Sequence, residues 1–196
     1  MIRFFDFLFS FLGIIILFPF LFLIGLIIKL TSRGPVFYKQ QRVGLNGVDF
    51  YVFKLRTMNI NSDKLGLITV GGHDPRITSV GFFLRKYKLD ELPQLLNVII
   101  GDMSLVGPRP EVRKYVEKYT TEQKKVLSIR PGITDWASIY YKDENVILGE
   151  SSDPEKDYIF KIMPDKLNYN FIYINNYSSL EYFKIIFTTI WRIFSH

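Results

Sequence analysis

The stretch FLFSFLGIIILFPFLFLIGLIIK, from Phe7 to Lys29, carries no charge before its final residue. As a helix its uncharged part reaches about 33 Å, roughly one hydrocarbon core. A chain containing it must give that surface to lipid or cover it. No small-x-small site follows Ile28, where the sequence turns to KLTSRGP, so the segment reads as a membrane element and not as a cleaved leader. Pro19 stands near the middle and has no backbone N–H, which predicts a kink or break there. Arg3 lies on one flank, with Lys29 and Arg33 on the other, so flanking charge does not orient the segment. Two topologies fit: a straight span, and a helix that enters the bilayer, turns at Pro19 and returns to the same face.

The rest of the chain bounds the chemistry. With 196 residues there is room for one sizeable core and a small appendage. The absence of cysteine excludes disulfides, thiolate metal sites and a cysteine nucleophile. A formal charge of +6 suits anionic partners: nucleic acid, lipid headgroups or phosphorylated substrates. The turn cluster TSRGP divides residues 1–32, the membrane segment, from residues 33–196. Beyond it, β-branched and aromatic runs at Val36 to Tyr38 and Asp49 to Lys54 flank GLNG and predict a hairpin. Helices are expected from Val80, from Asp90 to Ile100, from Glu111 to Ser128, from Pro154 with Ser152 or Asp153 before it as the start, and from Leu180 to Phe194. GDMSLVGPRPE and IRPGITDW read as loops. The fold class is therefore α+β, mainly helical with a small hairpin or sheet.

Within this frame, KLDELPQ places Asp90 and Glu91 side by side before Pro93. Capping and the helix dipole account locally for acids at such a position, with Asp90 as cap and Pro93 in the first turn. Their company suggests more. Lys54, Arg56, Arg76, Arg85, Lys86, Lys88, Arg109 and Arg130 recur around them, several in glycine- or proline-rich loops, as in a phosphate site gripped by guanidinium groups. Carboxylates facing phosphate call for a bridging divalent cation, and Mg²⁺ takes one or two carboxylates plus substrate phosphates. An aspartate can also attack phosphorus itself and form an acyl phosphate. His73, in the polar loop HDPRIT, reads as a hydrogen-bonding loop residue. The lack of a G-x-x-x-x-G-K-[ST] run argues against a P-loop hydrolase. Tyr115, Trp136 and Tyr140 would serve as stacking platforms for nucleic acid, but the apolar N-terminal segment makes that partner an unexpected one.

Taken together, GPVFYKQQRVG (34–44), FKLRTM (53–58), the block DPRITSVGFFLRKYKLDELPQLLNVIIGDMSLVGPRP (74–110) and RPGIT (130–134) resemble the bacterial sugar transferase family, the small monotopic phosphoglycosyl transferases that begin lipid-linked glycan assembly. The resemblance implies transfer of a phosphosugar from a UDP-sugar to polyprenyl phosphate, with release of UMP, by a ping-pong route. Asp90 would be the nucleophile, and Glu91 its partner in metal binding or proton transfer. Mg²⁺ would be the cofactor, held by Asp90 and Glu91. Arg85 and Arg109 would bind phosphate, with Arg130, Lys54 and Arg56 as further candidates. The resemblance also implies a re-entrant helix-break-helix at Pro19, both ends cytoplasmic, an inner-membrane location, and amphipathic helices, including the C-terminal one, at the phospholipid interface. The chain departs from the family pattern at Phe18, where serine commonly precedes the proline, at Lys88, and at Asp135 and Ser138 after RPGIT. Two other readings stay open: a metal-dependent nucleotide-sugar pyrophosphatase using water, and a basic membrane-tethered binding module without catalysis. No stretch between Asn145 and Asp165 reads as a sugar code, and no feature fixes an oligomeric state.

Overall fold

The computed structural model describes residues 1–62, 66, 68–71 and 74–195, with the side chains of Ile193 and Phe194 not described. His73 lies outside these residues. The apolar segment is helix α1, Ile2–Thr31, and the helical run continues through Pro19, which lies on its exposed side. A stripe of α1 faces the rest of the chain: Ile2, Asp6, Ser10, Gly13, Leu17, Leu21, Gly25 and Ile28 are partly or wholly buried, spaced three or four apart, with Arg3, Phe5 and Ile24 flanking it. The remaining circumference exposes Phe7, Phe11, Ile15, Phe18 and Phe22.

Both ends of α1 are tied to the same body. Near the N-terminus Arg3 donates to the carbonyls of Ile99 and Met103 at 3.1 and 3.3 Å. The buried Asp6 carboxylate accepts from Ser104 Oγ, the Leu105 N–H and the Tyr182 hydroxyl, each at 2.9 Å. At the other end, Arg56 donates to the carbonyls of Ser32, Arg33 and Pro35 at 3.0, 2.6 and 2.6 Å. Just before it, Ile28 packs on Leu55 and Leu84.

Strands β1, Phe37–Val43, and β2, Asp49–Leu55, form the expected antiparallel hairpin in register from Phe37↔Leu55 to Val43↔Asp49. Its turn uses left-handed backbone at Asn46 and Gly47, the residue types that tolerate it. Helices α2, Ser79–Lys86, and α3, Gln94–Ile100, follow. Strand β3, Ser104–Val106, pairs in parallel with β4, Gly132–Thr134. These strands fall in segments read as loops from sequence; three residues each are too few to display a period. Their approach depends on glycine, since a Cβ on Gly132 would stand 2.1 Å from the Gly107 nitrogen.

The helix expected over Glu111 to Ser128 is two short pieces, α4, Arg113–Val116, and a 3-10 run, Gln123–Ser128. Thr120 divides them: its N–H donates to Gln123 Oε1 and its hydroxyl accepts from the Gln123 N–H, a reciprocal cap that restarts the chain. Helices α5, Trp136–Tyr140, α6, Glu144–Gly149, and α7, Pro154–Asp157, lead through a π turn into α8, Met163–Asn175. Of the two candidate caps Ser152 and Asp153, it is Asp153 that caps α7. The last helix, α9, Ser179–Phe194, buries Tyr182 and Ile185 beneath α1 and α8 and leaves Leu180, Phe187, Ile190 and Trp191 exposed.

Candidate active site

Helix α2 ends at Lys86, and Lys88 turns the chain with a left-handed φ of 55°. The acids then lie in a single 3-10 turn, Leu89–Glu91, ahead of α3. This corrects the local expectation: Asp90 makes no capping bond, and it is Pro93 that occupies the cap position of α3. A 3-10 turn separates successive residues by about 120° around its axis, so adjacent acids face different surroundings.

Glu91 faces cations. One carboxylate oxygen accepts from Lys54 Nζ at 3.2 Å and pairs with Arg109 Nη2, while the other accepts from Arg109 Nη1 at 3.0 Å. The arginine fork is bidentate, the strong geometry for this pair. Burial opposes the Glu91 charge, but Arg109 and Lys54 outweigh it and hold the carboxyl well below its usual range. Asp90 is only 6% exposed and makes no hydrogen bond or ion pair with a described residue. Burial pushes its carboxyl above the ordinary value and the Glu91 charge adds to this, against relief from Lys54, Arg85 and Lys88.

Four elements deliver this constellation. Lys54 comes from β2; burial pulls its ammonium down to about 8, with Glu91 opposing. Arg85, on the last turn of α2, is held by neutral partners: Nε donates to Thr57 Oγ at 3.0 Å and Nη1 to Thr69 Oγ at 3.2 Å. Burial lowers its pKa and Asp90 works in the other direction. Arg109 stands between two prolines after β3, and the nearby Glu91 charge raises its pKa.

Of the residues singled out from sequence, Lys54, Arg85 and Arg109 therefore gather around the Asp90–Glu91 pair. Arg56 and Arg130 do not. Arg56 is buried with its guanidinium taken by carbonyls at the end of α1, and Arg130 Nε donates to the Gly101 carbonyl at 3.0 Å. Arg76 grips Asp74 and the carbonyls of Gly66 and Ile68, which makes it a loop clamp. Among the described residues no three His, Cys, Asp or Glu side chains converge.

Sequence reading passed over Asn97. It is fully buried in α3, its Nδ2 donating to the Tyr51 carbonyl at 2.7 Å and its Oδ1 accepting from the Phe53 N–H at 3.0 Å. It thereby locks the helix after the acids to the strand carrying Lys54. Its signal was a lone amide inside the apolar run LLNVII, where a buried polar group needs partners. Asp6, a lone acid beside the apolar segment, carried a similar signal.

The chain matches the bacterial sugar transferase family over residues 1–196. It is 38% identical over 175 residues to the UDP-N-acetylgalactosamine-undecaprenyl-phosphate N-acetylgalactosaminephosphotransferase of Aeromonas hydrophila, covering 88% of this chain and 38% of that protein. It is 36% identical over 196 residues to the UDP-glucose:undecaprenyl-phosphate glucose-1-phosphate transferase of Escherichia coli K12, covering 96% and 39%. A protein of the same name from Xanthomonas campestris is 38% identical over 181 residues, covering 90% and 35%. The chain thus spans well under half the length of these relatives.

The two acids should answer oppositely to neutralisation. Ionised Asp90 disfavours the fold, since its pKa is raised; Asp90→Asn should keep or increase the Tm at pH 7. Ionised Glu91 supports the fold above its unfolded pKa, and the support is lost as pH falls through its depressed value. Glu91→Gln strands Lys54 and Arg109 and should cost on the order of 3 kcal/mol. Thermal melts of the two variants check this pair of signs.

Proposed function

The chain belongs to the bacterial sugar transferase family, and from that premise we propose that it transfers a phosphosugar from a UDP-sugar to polyprenyl phosphate, releasing UMP. The observation that carries the reading is the contrast within the acid pair: Glu91 is held by Lys54 and Arg109, while the buried Asp90 carboxylate has no hydrogen-bond or ion-pair partner among the described residues. Undecaprenyl phosphate and UDP-sugars appear in the names of the relatives above, whose sugars differ.

In the proposed first half-reaction an Asp90 oxygen attacks the phosphorus bearing the sugar. A new P–O bond forms to the carboxylate, the diphosphate P–O bond breaks, and its electron pair leaves with UMP. In the second, an oxygen of polyprenyl phosphate attacks the same phosphorus and the acyl-phosphate bond breaks, restoring Asp90 and giving the polyprenyl diphosphate sugar. Arg85 and Arg109 neutralise charge on the phosphate oxygens, which is where phosphoryl transfer gains most. Glu91 holds Arg109 and Lys54 in place between turnovers.

A Mg²⁺ ion fits this reading. Both Glu91 oxygens are engaged, so Asp90 would hold the metal together with the diphosphate, the setting of few carboxylates and several phosphate oxygens that Mg²⁺ favours. When bound it would supply charge neutralisation at the phosphoryl group.

We also propose that α1 is re-entrant, entering and leaving the bilayer on the cytoplasmic face, with α9 lying at the interface. The support is that α1 is long and apolar enough to cross a membrane, yet both its ends bond to the body that carries the acids. Exposed Leu180, Phe187, Ile190 and Trp191 give α9 one apolar face for lipid.

Donor alone should yield close to one equivalent of UMP and a phosphosugar bound to the protein, detected by intact mass. Asp90→Asn should lose the adduct and at least about 10³-fold of turnover. Continued UMP release without lipid acceptor would instead indicate water as acceptor, and an adduct formed at the normal rate by Asp90→Asn would remove it as nucleophile.

The pH profile of kcat/KM should be bell-shaped. Its acid limb follows protonation of Asp90 and lies above an ordinary aspartate's value. Its basic limb follows loss of the Lys54 charge near pH 8. Lys54→Arg should remove the basic limb, because a guanidinium stays charged throughout that range; a limb unmoved in this variant would rule out Lys54 as its source.

Because the chain has no cysteine, Phe4→Cys and Ser32→Cys report topology directly. Both should react with a membrane-impermeant maleimide from the cytoplasmic side only. Reaction from opposite sides would replace the re-entrant placement with a span.

A further inference from the structure

Asp135 is almost fully buried at 1% exposure and forms no ion pair among the described residues. One carboxylate oxygen accepts from the Ser138 N–H at 2.6 Å and caps α5. Asparagine or serine caps a helix about as well, so capping alone does not call for a buried charge. The other oxygen accepts from the Arg109 N–H at 3.3 Å.

That second bond has a particular place in the backbone. Pro108 and Pro110 have no N–H, so Arg109 supplies the only main-chain donor within Pro108-Arg109-Pro110. The flanks of this tripeptide are already bonded to the chain around β4: the Gly107 N–H donates to the Thr134 carbonyl and the Gly132 N–H to the Pro108 carbonyl, both at 3.0 Å. Asp135 follows β4 directly and closes the last free donor of the loop. At the other end of Arg109, its guanidinium forks onto Glu91.

We propose that Asp135 is a positioning residue for Arg109: by taking the lone N–H of the Pro-Arg-Pro loop it fixes where the guanidinium stands relative to the Asp90–Glu91 pair. The inference rests on the phosphosugar-transfer reading only for its catalytic consequence. The backbone anchor is a separate, measurable property. Its negative charge also lies close enough to contribute to the raised pKa of Arg109, after the larger effect of Glu91.

Asp135→Asn is the informative variant. Its single carbonyl oxygen can keep the α5 cap, while its amide turns a donor toward the Arg109 N–H. Amide hydrogen exchange at Arg109 should accelerate at least about tenfold, with exchange in α8 and the Tm little changed. Under steady-state UMP-release assay, kcat/KM for the donor should fall roughly 10–100-fold, the range for losing a hydrogen bond to a charged acceptor. In an Arg109→Ala background the same substitution should cost less than about threefold. If the asparagine variant is not stable, Asp135→Ser keeps a capping oxygen and serves the same comparison. Unchanged Arg109 exchange, or an equal loss of activity with and without Arg109, overturns the proposal. A wild-type protein that releases no UMP from any UDP-sugar, yet shows the exchange change, overturns the catalytic reading and leaves the anchor standing.

Discussion

The site depends on Glu91 being neutralised from two directions. A carboxylate removed from water costs several kcal/mol unless its charge and lone pairs are met, and here the Arg109 fork and the Lys54 ammonium meet them. Once those cations are committed, Asp90 sits beside a like charge, buried and without a hydrogen bond to any described residue. Identical chemistry at adjacent positions thus acquires opposite character, because a 3-10 turn aims one acid at the cations and leaves the other without a partner among the described residues. Environments that push two titratable groups apart are the usual sign of divided roles.

Keeping the cations in place draws on most of the fold. Lys54 is fixed because Asn97 bonds the backbone of β2 on both sides of Val52. Two residues after Lys54, Arg56 ties the end of α1 to the same strand, and Leu55 between them packs on Ile28. At the opposite end of α1, Asp6 bonds the start of β3, whose exit carries the Pro-Arg-Pro loop. The apolar helix is therefore linked by short paths to both cations that hold Glu91. A displaced α1 would disturb Lys54 through Arg56 and Arg109 through β3, so the placement of α1 and the geometry of the site are mechanically joined.

How far this could be read from sequence follows from the range of the signals. The membrane-grade helix, the β1–β2 hairpin with its Asn-Gly turn, and the Asp153 cap of α7 are written in local patterns and appear where those patterns lie. The acids and three of their cations, Lys54, Arg85 and Arg109, were legible as a charged constellation. Arg56 and Arg130 belong to the same motifs, yet their direction depends on which carbonyls the tertiary fold brings near, and a one-dimensional pattern does not contain that. The β3–β4 pair was hidden for a related reason: it joins three-residue segments far apart in the chain and depends on two glycines meeting. Likewise the 3-10 turn at Asp90 turns on the left-handed backbone of Lys88, a residue type that gives no warning of it.

Arg85 completes the electrostatic picture. Basic side chains stand close enough to relieve Asp90 partly, yet Arg85 bonds to the Thr57 and Thr69 hydroxyls, which hold its guanidinium without cancelling its charge. An acid and a base that ion-pair with no described residue therefore share one small region, burial raising the pKa of the first and lowering that of the second. What suits such a region is a ligand bringing anionic oxygens for the guanidinium together with an electrophilic centre for the carboxylate. The diphosphate of the proposed donor has both in one group.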